Sequence, residues 1–218
     1  MTQPPPVEQG DALPSAWRFI SISNAVTYLG LAASALSIHF AAMGAWHAMA
    51  ACWGCAAIAD NFDGAFARRF DRTAAQAAFG RELDSLCDAV GFGLAPIAGL
   101  WLVIAPQTPI ESGLFAIAAL FYLVALITRL GHFNLAQRGG HDGFWGLPST
   151  EAALVLATFL LVPDALARAW MALFALGVLM LVPFPVARPR GPWRVLFMVW
   201  LVATPVIHLW LHHGGTGA

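Results

Sequence analysis

The chain has 218 residues, 59% of them hydrophobic and 11% charged, and its mean hydropathy is +0.70. Soluble domains use roughly 45–50% apolar and about 25% charged residues, so this composition excludes an ordinary soluble domain, a disordered chain and a disulfide scaffold. A formal net charge of −1 leaves no global footprint for nucleic acid. All 11 Lys/Arg positions are arginine, which removes lysine Schiff-base chemistry and suits bidentate capture of phosphate or carboxylate.

A spanning helix needs about 20 apolar residues, and the chain reads as all-α: a polytopic membrane helix bundle of about seven transmembrane helices. Residues 1–16 form a polar, Pro-rich segment with no basic n-region of a signal peptide, 17–211 a single transmembrane domain, and 212–218 a short tail. Apolar runs between breakers predict spans at 17–39, 42–67, 80–105, 112–136, 149–163, 166–184 and 192–211. Cys52 and Cys55, on the second span, have C-x-x-C spacing but no second Cys/His pair, and read as small packing residues. Trp17, Trp46, Trp101, Trp145, Trp170, Trp193 and Trp210 fall near span ends, as an interfacial belt requires. His208, His212 and His213 read as an interfacial tail. Arg18, Arg68, Arg69, Arg72, Arg81, Arg129, Arg138, Arg188, Arg190 and Arg194 fall on one side of the seven spans and only Arg168 on the other. Basic residues accumulate in cytoplasmic segments, so that side faces the cytoplasm.

Asp60 and Asp63 lie three apart on the second span, and Asp84 and Asp88 four apart on the third. Each pair therefore shares a helix face, and two antiparallel helices bring four carboxylates to one cavity. Four aspartates at depth oppose insertion by on the order of 10 kcal/mol unless water, metal or partners compensate. Hard oxygen ligands select Mg²⁺, Mn²⁺ or Ca²⁺ over zinc. Gly64, Ala67 and Arg68 share the acid face of the second span, and Gly80 and Gly91 that of the third. Small residues there let a bulky ligand approach the backbone, and Arg68 supplies charge for a diphosphate. Interhelical hydrogen bonding or a cation path are the other readings of such acids, and neither needs the glycines or the arginine.

The run Asp60-Asn-Phe-Asp63-Gly64-Ala-Phe-Ala67-Arg68, followed by Gly80-Arg-Glu-Leu-Asp84-Ser-Leu-Cys-Asp88, resembles the D-x-x-D-G-x-x-A-R … G-x-x-x-D-x-x-x-D signature of the CDP-alcohol phosphotransferase (CDP-alcohol phosphatidyltransferase) family at all eight defining positions. Its 11-residue insert between Arg68 and Gly80 is longer than usual and is expected in a turn outside the metal site. The resemblance implies that Asp60, Asp63, Asp84 and Asp88 hold two divalent cations, Mg²⁺ or Mn²⁺, and that Asp88 is also the catalytic general base. It further implies that Gly64, Ala67, Arg68 and Gly80 receive the cytidine diphosphate, with Asn24 and Thr27 as an N-x-x-T nucleotide contact in which Ser23 replaces the usual proline. A homodimer in the bilayer is also what the resemblance implies.

Within the family, Phe79-Gly80-Arg-Glu-Leu-Asp84-Ser85-Leu86-Cys-Asp88-Ala-Val-Gly-Phe92-Gly93-Leu-Ala95-Pro96, Arg129-Leu-Gly-His-Phe133-Asn134 and Phe144-Trp-Gly146-Leu147-Pro148-Ser149 resemble stretches of the membrane-type phosphatidylserine synthases. The implied substrates are CDP-diacylglycerol and L-serine, with release of CMP, at the cytoplasmic face of a bacterial inner membrane. Arg129, His132, Asn134 and Ser149 are the candidate acceptor contacts. Gly91 stands where that group carries serine and His132 where it carries arginine, so glycerol 3-phosphate, an inositol phosphate or choline remains an alternative acceptor. An intramembrane prenyltransferase or a cation transporter is a more distant reading.

Overall fold

The computed structural model describes residues 15–138, 144–186 and 189–215, with the backbone alone at Arg18, Arg138, Phe144 and Gly215. The expected N-terminal segment up to residue 14, Arg188 and the last three residues lie outside the described residues. Eight α-helices and one π segment follow in order among the described residues: α1 (Ala25–Ala42), α2 (Trp46–Ala67), α3 (Ala74–Asp88), the π segment (Ala89–Leu94), α4 (Ala95–Ile104), α5 (Pro109–Arg138), α6 (Ser149–Phe159), α7 (Ala169–Leu181) and α8 (Pro192–Gly215). Because α3, the π segment and α4 form one continuous helix over Ala74–Ile104, the described chain makes seven rods, the number expected. Four of them, Ile22–Ala42, Ala74–Ile104, Pro109–Gln137 and Pro192–Gly214, are long and apolar enough to cross a membrane. α2 is of spanning length but carries Asp60, Asn61 and Asp63, while α6 and α7 are shorter apolar helices. Phe144–Trp145 and Pro185–Val186 pair as two-residue antiparallel strands.

Several boundaries differ from the expected spans for local reasons. Residues 16–24 form two 3₁₀ turns rather than the start of the first span. Ser21, Ser23 and Asn24 bond one another and the carbonyl of Phe19 there, competing with the helical ladder. The third rod begins at Ala74, six residues before the expected start. Thr73 caps it, accepting from the backbone N–H of Gln76 while the Gln76 side chain accepts from that of Thr73, a capping box that starts the helix ahead of Gly80. The insert after Arg68 is therefore turn only as far as Thr73.

The π segment has a covalent cause. Pro96 has no N–H for the carbonyl of Phe92 four residues back, and the buried Tyr122 hydroxyl donates to that carbonyl at 2.8 Å. The wider turn sets Gly91 against Ser34 of α1 and Gly93 against Leu123 of α5.

The core is built around Met49, Trp53, Leu100, Tyr122, Leu126, Leu154 and Leu173. His208 corrects the expectation of an interfacial tail. α8 continues to Gly215, and His208 is fully buried, 2.9 Å from the carbonyl of Ala157 in α6 and 2.9 Å from His47 Nδ1 in α2. Five of the seven tryptophans are exposed, Trp101, Trp193 and Trp210 toward rod ends and Trp17 and Trp145 outside the rods, whereas Trp46 stacks on His47 and Trp170 packs against the core. Cys52 is half-buried and Cys55 exposed, both as free thiols.

Candidate active site

The C-terminal half of α2, α3 and the N-termini of α1 and α6 meet at one end of the bundle. Asp60 and Asp63 project from α2, and Asp84 and Asp88 from α3, into a cavity of about 20 Å³ that Thr27, Ser34 and Gly91 also line. That volume holds about one water-sized species and is too small to enclose a nucleotide. Carboxylate oxygens of Asp60, Asp84 and Asp88 lie within 4.8 Å of one another, the one such group among the described residues that could hold a metal ion. The carboxyls of Asp60 and Asp88 interact directly, as do those of Asp63 and Asp84. Carboxyls this close require shared protons or a cation, and an all-oxygen donor set around a water-sized cavity fits a hard divalent ion.

Hydroxyl donors hold the acids from outside. Thr27 donates to Asp63 Oδ2 at 2.9 Å, Thr150 to Asp60 Oδ2 at 2.6 Å and Ser149 to Asp88 Oδ2 at 3.1 Å. Ser149 and Thr150 open α6, so the positive end of that helix also faces the acids. Arg129 of α5 is buried. Its Nη1 lies 3.5 Å from Ser149 Oγ, its guanidinium stands 5.3 Å from the Phe133 ring centroid, and it is within electrostatic reach of Glu151, Asp88 and Asp60.

The residues expected to receive the nucleotide lie along α2 and α3, which carry the acids, and at the N-terminus of α1. A β-carbon added at Gly80 would lie 3.4 Å from Asn24 Oδ1 and 3.5 Å from Arg72 Nη1, and one at Gly64 3.4 Å from Arg68 Nη1. Asn24 and Gly80 thus come together, as do Gly64 and Arg68. Thr27 reaches the acids directly, and Ala67 is buried on the same helix face. Of the candidate acceptor contacts, Ser149 and Arg129 join the acid cluster. Asn134 instead donates to Ser85 Oγ at 2.9 Å, and His132 is exposed on α5. Thr150 and Arg72 were not anticipated. Thr150 follows Ser149 at a helix start, where hydroxyls concentrate, but its partner lies 90 residues away. Arg72 sits in the insert expected to be outside the site.

The chain spans about half the length of the mycobacterial relatives it matches. It is 31% identical over 155 residues to the CDP-diacylglycerol–serine O-phosphatidyltransferase of Mycobacterium tuberculosis, an overlap covering 68% of this chain and 52% of that protein. It is 31% identical over 147 residues to the Methanocaldococcus jannaschii protein of the same name, covering 67% and 66%. With the archaetidylserine synthase of Methanothermobacter thermautotrophicus it shares 29% over 143 residues, covering 66% and 59%. The sequence model of the CDP-alcohol phosphatidyltransferase family matches residues 20–184, a stretch that contains all four aspartates and their hydroxyl donors, and the chain belongs to that family.

Proposed function

We propose that the protein transfers the phosphatidyl group of CDP-diacylglycerol to the hydroxyl of L-serine, releasing CMP and forming phosphatidylserine. The observation that carries this reading is the convergence of Asp60, Asp63, Asp84 and Asp88 on one cavity, on the helices that also carry Gly64, Arg68 and Gly80. The names of the relatives support serine as the acceptor.

The diphosphate lies beside the acid cavity, where Gly64 and Gly80 allow close approach and Arg68 and Arg72 meet its charge. The acyl chains remain in the bilayer. Asp60, Asp63, Asp84 and Asp88 hold two divalent ions, Mg²⁺ or Mn²⁺, which when bound neutralise the diphosphate and favour departure of CMP. Ser149 donates to one oxygen of Asp88 and orients the carboxylate, which accepts the proton of the serine hydroxyl. The serine oxygen bonds to the lipid-linked phosphorus, the bond from that phosphorus to the CMP oxygen breaks, and the proton passes to Asp88. Arg129 holds Ser149 and offsets the charge of the cluster. The arginine-rich end of the bundle faces the cytoplasm of a bacterial inner membrane, where soluble serine and CMP exchange.

The test is purified full-length protein with CDP-diacylglycerol, Mn²⁺ and an acceptor panel, with CMP followed and the lipid product weighed by mass spectrometry. A serine-dependent product of phosphatidylserine mass is expected. Product formed only with glycerol 3-phosphate, an inositol phosphate or choline would overturn serine, and no CMP release with any acceptor would overturn the reaction.

A further inference from the structure

α3 presents two different faces to the site. Gly80 looks toward Asn24 and Arg72, the nucleotide side. Arg81, Ser85 and Asp88 follow at i, i+4 and i+7, a second stripe that turns to α5 and α6, since Ser85 bonds Asn134 of α5 and Asp88 bonds Ser149 of α6. At the open end of this stripe lies a separate cavity of about 300 Å³ lined by Arg81, Glu82, Asn134 and Gln137. Among the described residues its lining joins one cation, one anion and two amides, and its size is at the lower end of small-molecule sites. The rise from Glu82 to Asp88 is about 9 Å along the helix, so the cavity opens onto the face of α3 that ends at the base.

A zwitterion needs a cation and an anion side by side, whereas a phosphorylated polyol would meet Glu82 as a like charge. Arg129 is buried among Ser149, Phe133 and the acids, so it is poorly placed to meet an incoming carboxylate first. We propose that the cavity between α3 and α5 is a capture vestibule for the acceptor that selects a zwitterionic amino alcohol, Arg81 taking its carboxylate and Glu82 its ammonium. The captured molecule advances past the Ser85–Asn134 bond to Asp88. The inference rests on the phosphatidyl-transfer reading above and adds to it where the acceptor is sorted.

The experiment uses the full-length protein with Mn²⁺ and CDP-diacylglycerol, and measures CMP release with L-serine in competition with ethanolamine, which lacks the carboxylate, or glycerate, which lacks the ammonium. Glu82→Gln is expected to raise KM for serine about fivefold, the scale of one solvent-exposed charge contact. kcat and the KM for CDP-diacylglycerol should stay within about twofold. Competition by ethanolamine should weaken while that by glycerate persists; Arg81→Gln should give the mirror pattern, and Glu82→Asp should recover the serine KM. An unchanged serine KM, an altered lipid KM, equal effects on both competitors, or no competition by either one in the unmutated protein would each overturn the vestibule. Serine turnover by the unmutated protein with unmoved variants removes the vestibule alone, whereas absence of serine-dependent turnover removes the phosphatidylserine reading itself.

Discussion

Gly91→Ala tests the packing that shapes the acid cavity. A β-carbon at position 91 would lie 2.8 Å from Ser34 Oγ and 3.6 Å from Ser34 Cβ, and ordinary contacts begin at 3.4 Å, so the methyl overlaps one atom by 0.6 Å and clears the next. Ser34 has little room to yield, because it is buried and its hydroxyl donates to the carbonyl of Gly30 at 3.0 Å. Overpacking of this kind costs about 1–3 kcal/mol, and displacing the hydroxyl forfeits a bond worth about 1 kcal/mol. Ser34→Ala removes the obstructing atom and leaves a β-carbon pair at normal separation. The double variant Ser34→Ala/Gly91→Ala should therefore be more stable than Gly91→Ala alone, with a coupling of about 1–2 kcal/mol. The readout is the temperature at which detergent-solubilised protein loses CMP-releasing activity. Gly91→Ala should inactivate earliest, Ser34→Ala near the unmutated protein, and the double variant between them. A double variant that loses the sum of the two single losses would refute the steric argument.

Asp88→Asn should abolish CMP release while CDP-diacylglycerol binding persists; near-normal turnover would remove Asp88 as the base. Chelation should stop activity, with Mg²⁺ or Mn²⁺ but not Zn²⁺ restoring it, and metal-independent turnover would overturn the cation site. Thr150→Val removes the 2.6 Å donor to Asp60 and should raise the Mn²⁺ needed for half-maximal activity about tenfold, as loss of a partner that orients a metal ligand does; an unchanged Mn²⁺ titration would contradict this. Tyr122→Phe leaves the Phe92 carbonyl without its side-chain donor and should cost about 1–3 kcal/mol, seen as earlier thermal inactivation with activity retained at low temperature.

What the sequence discloses and what it conceals divide by distance along the chain. The seven apolar runs and the i, i+3 and i, i+4 spacing of the aspartates are local, and the rods and the acid faces follow from them. The early start of α3 was also legible, since Thr73 and Gln76 have capping-box spacing and four alanines and Phe79 follow before Gly80. The π segment depends on Tyr122 reaching the carbonyl that Pro96 leaves without its helical donor, 30 residues away. His208 near the chain end reads as interfacial until His47, 161 residues earlier, meets it. Hydrogen-bonding side chains at depth are thus the places where composition misleads, because their partners decide whether they face water, lipid or protein.

The same reasoning bears on why four aspartates are tolerated here. Thr27, Ser149 and Thr150 each give one hydrogen bond to a carboxylate, which orients the acids but leaves their formal charge. Arg129 is within electrostatic reach of Glu151 as well as Asp60 and Asp88, so one guanidinium is divided among three acids. Hydroxyls and a shared arginine cannot offset four carboxylates in a cavity of about 20 Å³. Two divalent ions would balance that charge, as shared protons would without them, so the proposed ion site fits the insertion cost as well as the chemistry. Removing one acid should then ease folding while it weakens metal binding: Asp63→Asn is expected to resist heat better than the unmutated protein in chelator and worse in Mn²⁺. If the order is the same under both conditions, charge repulsion is not what the cations relieve.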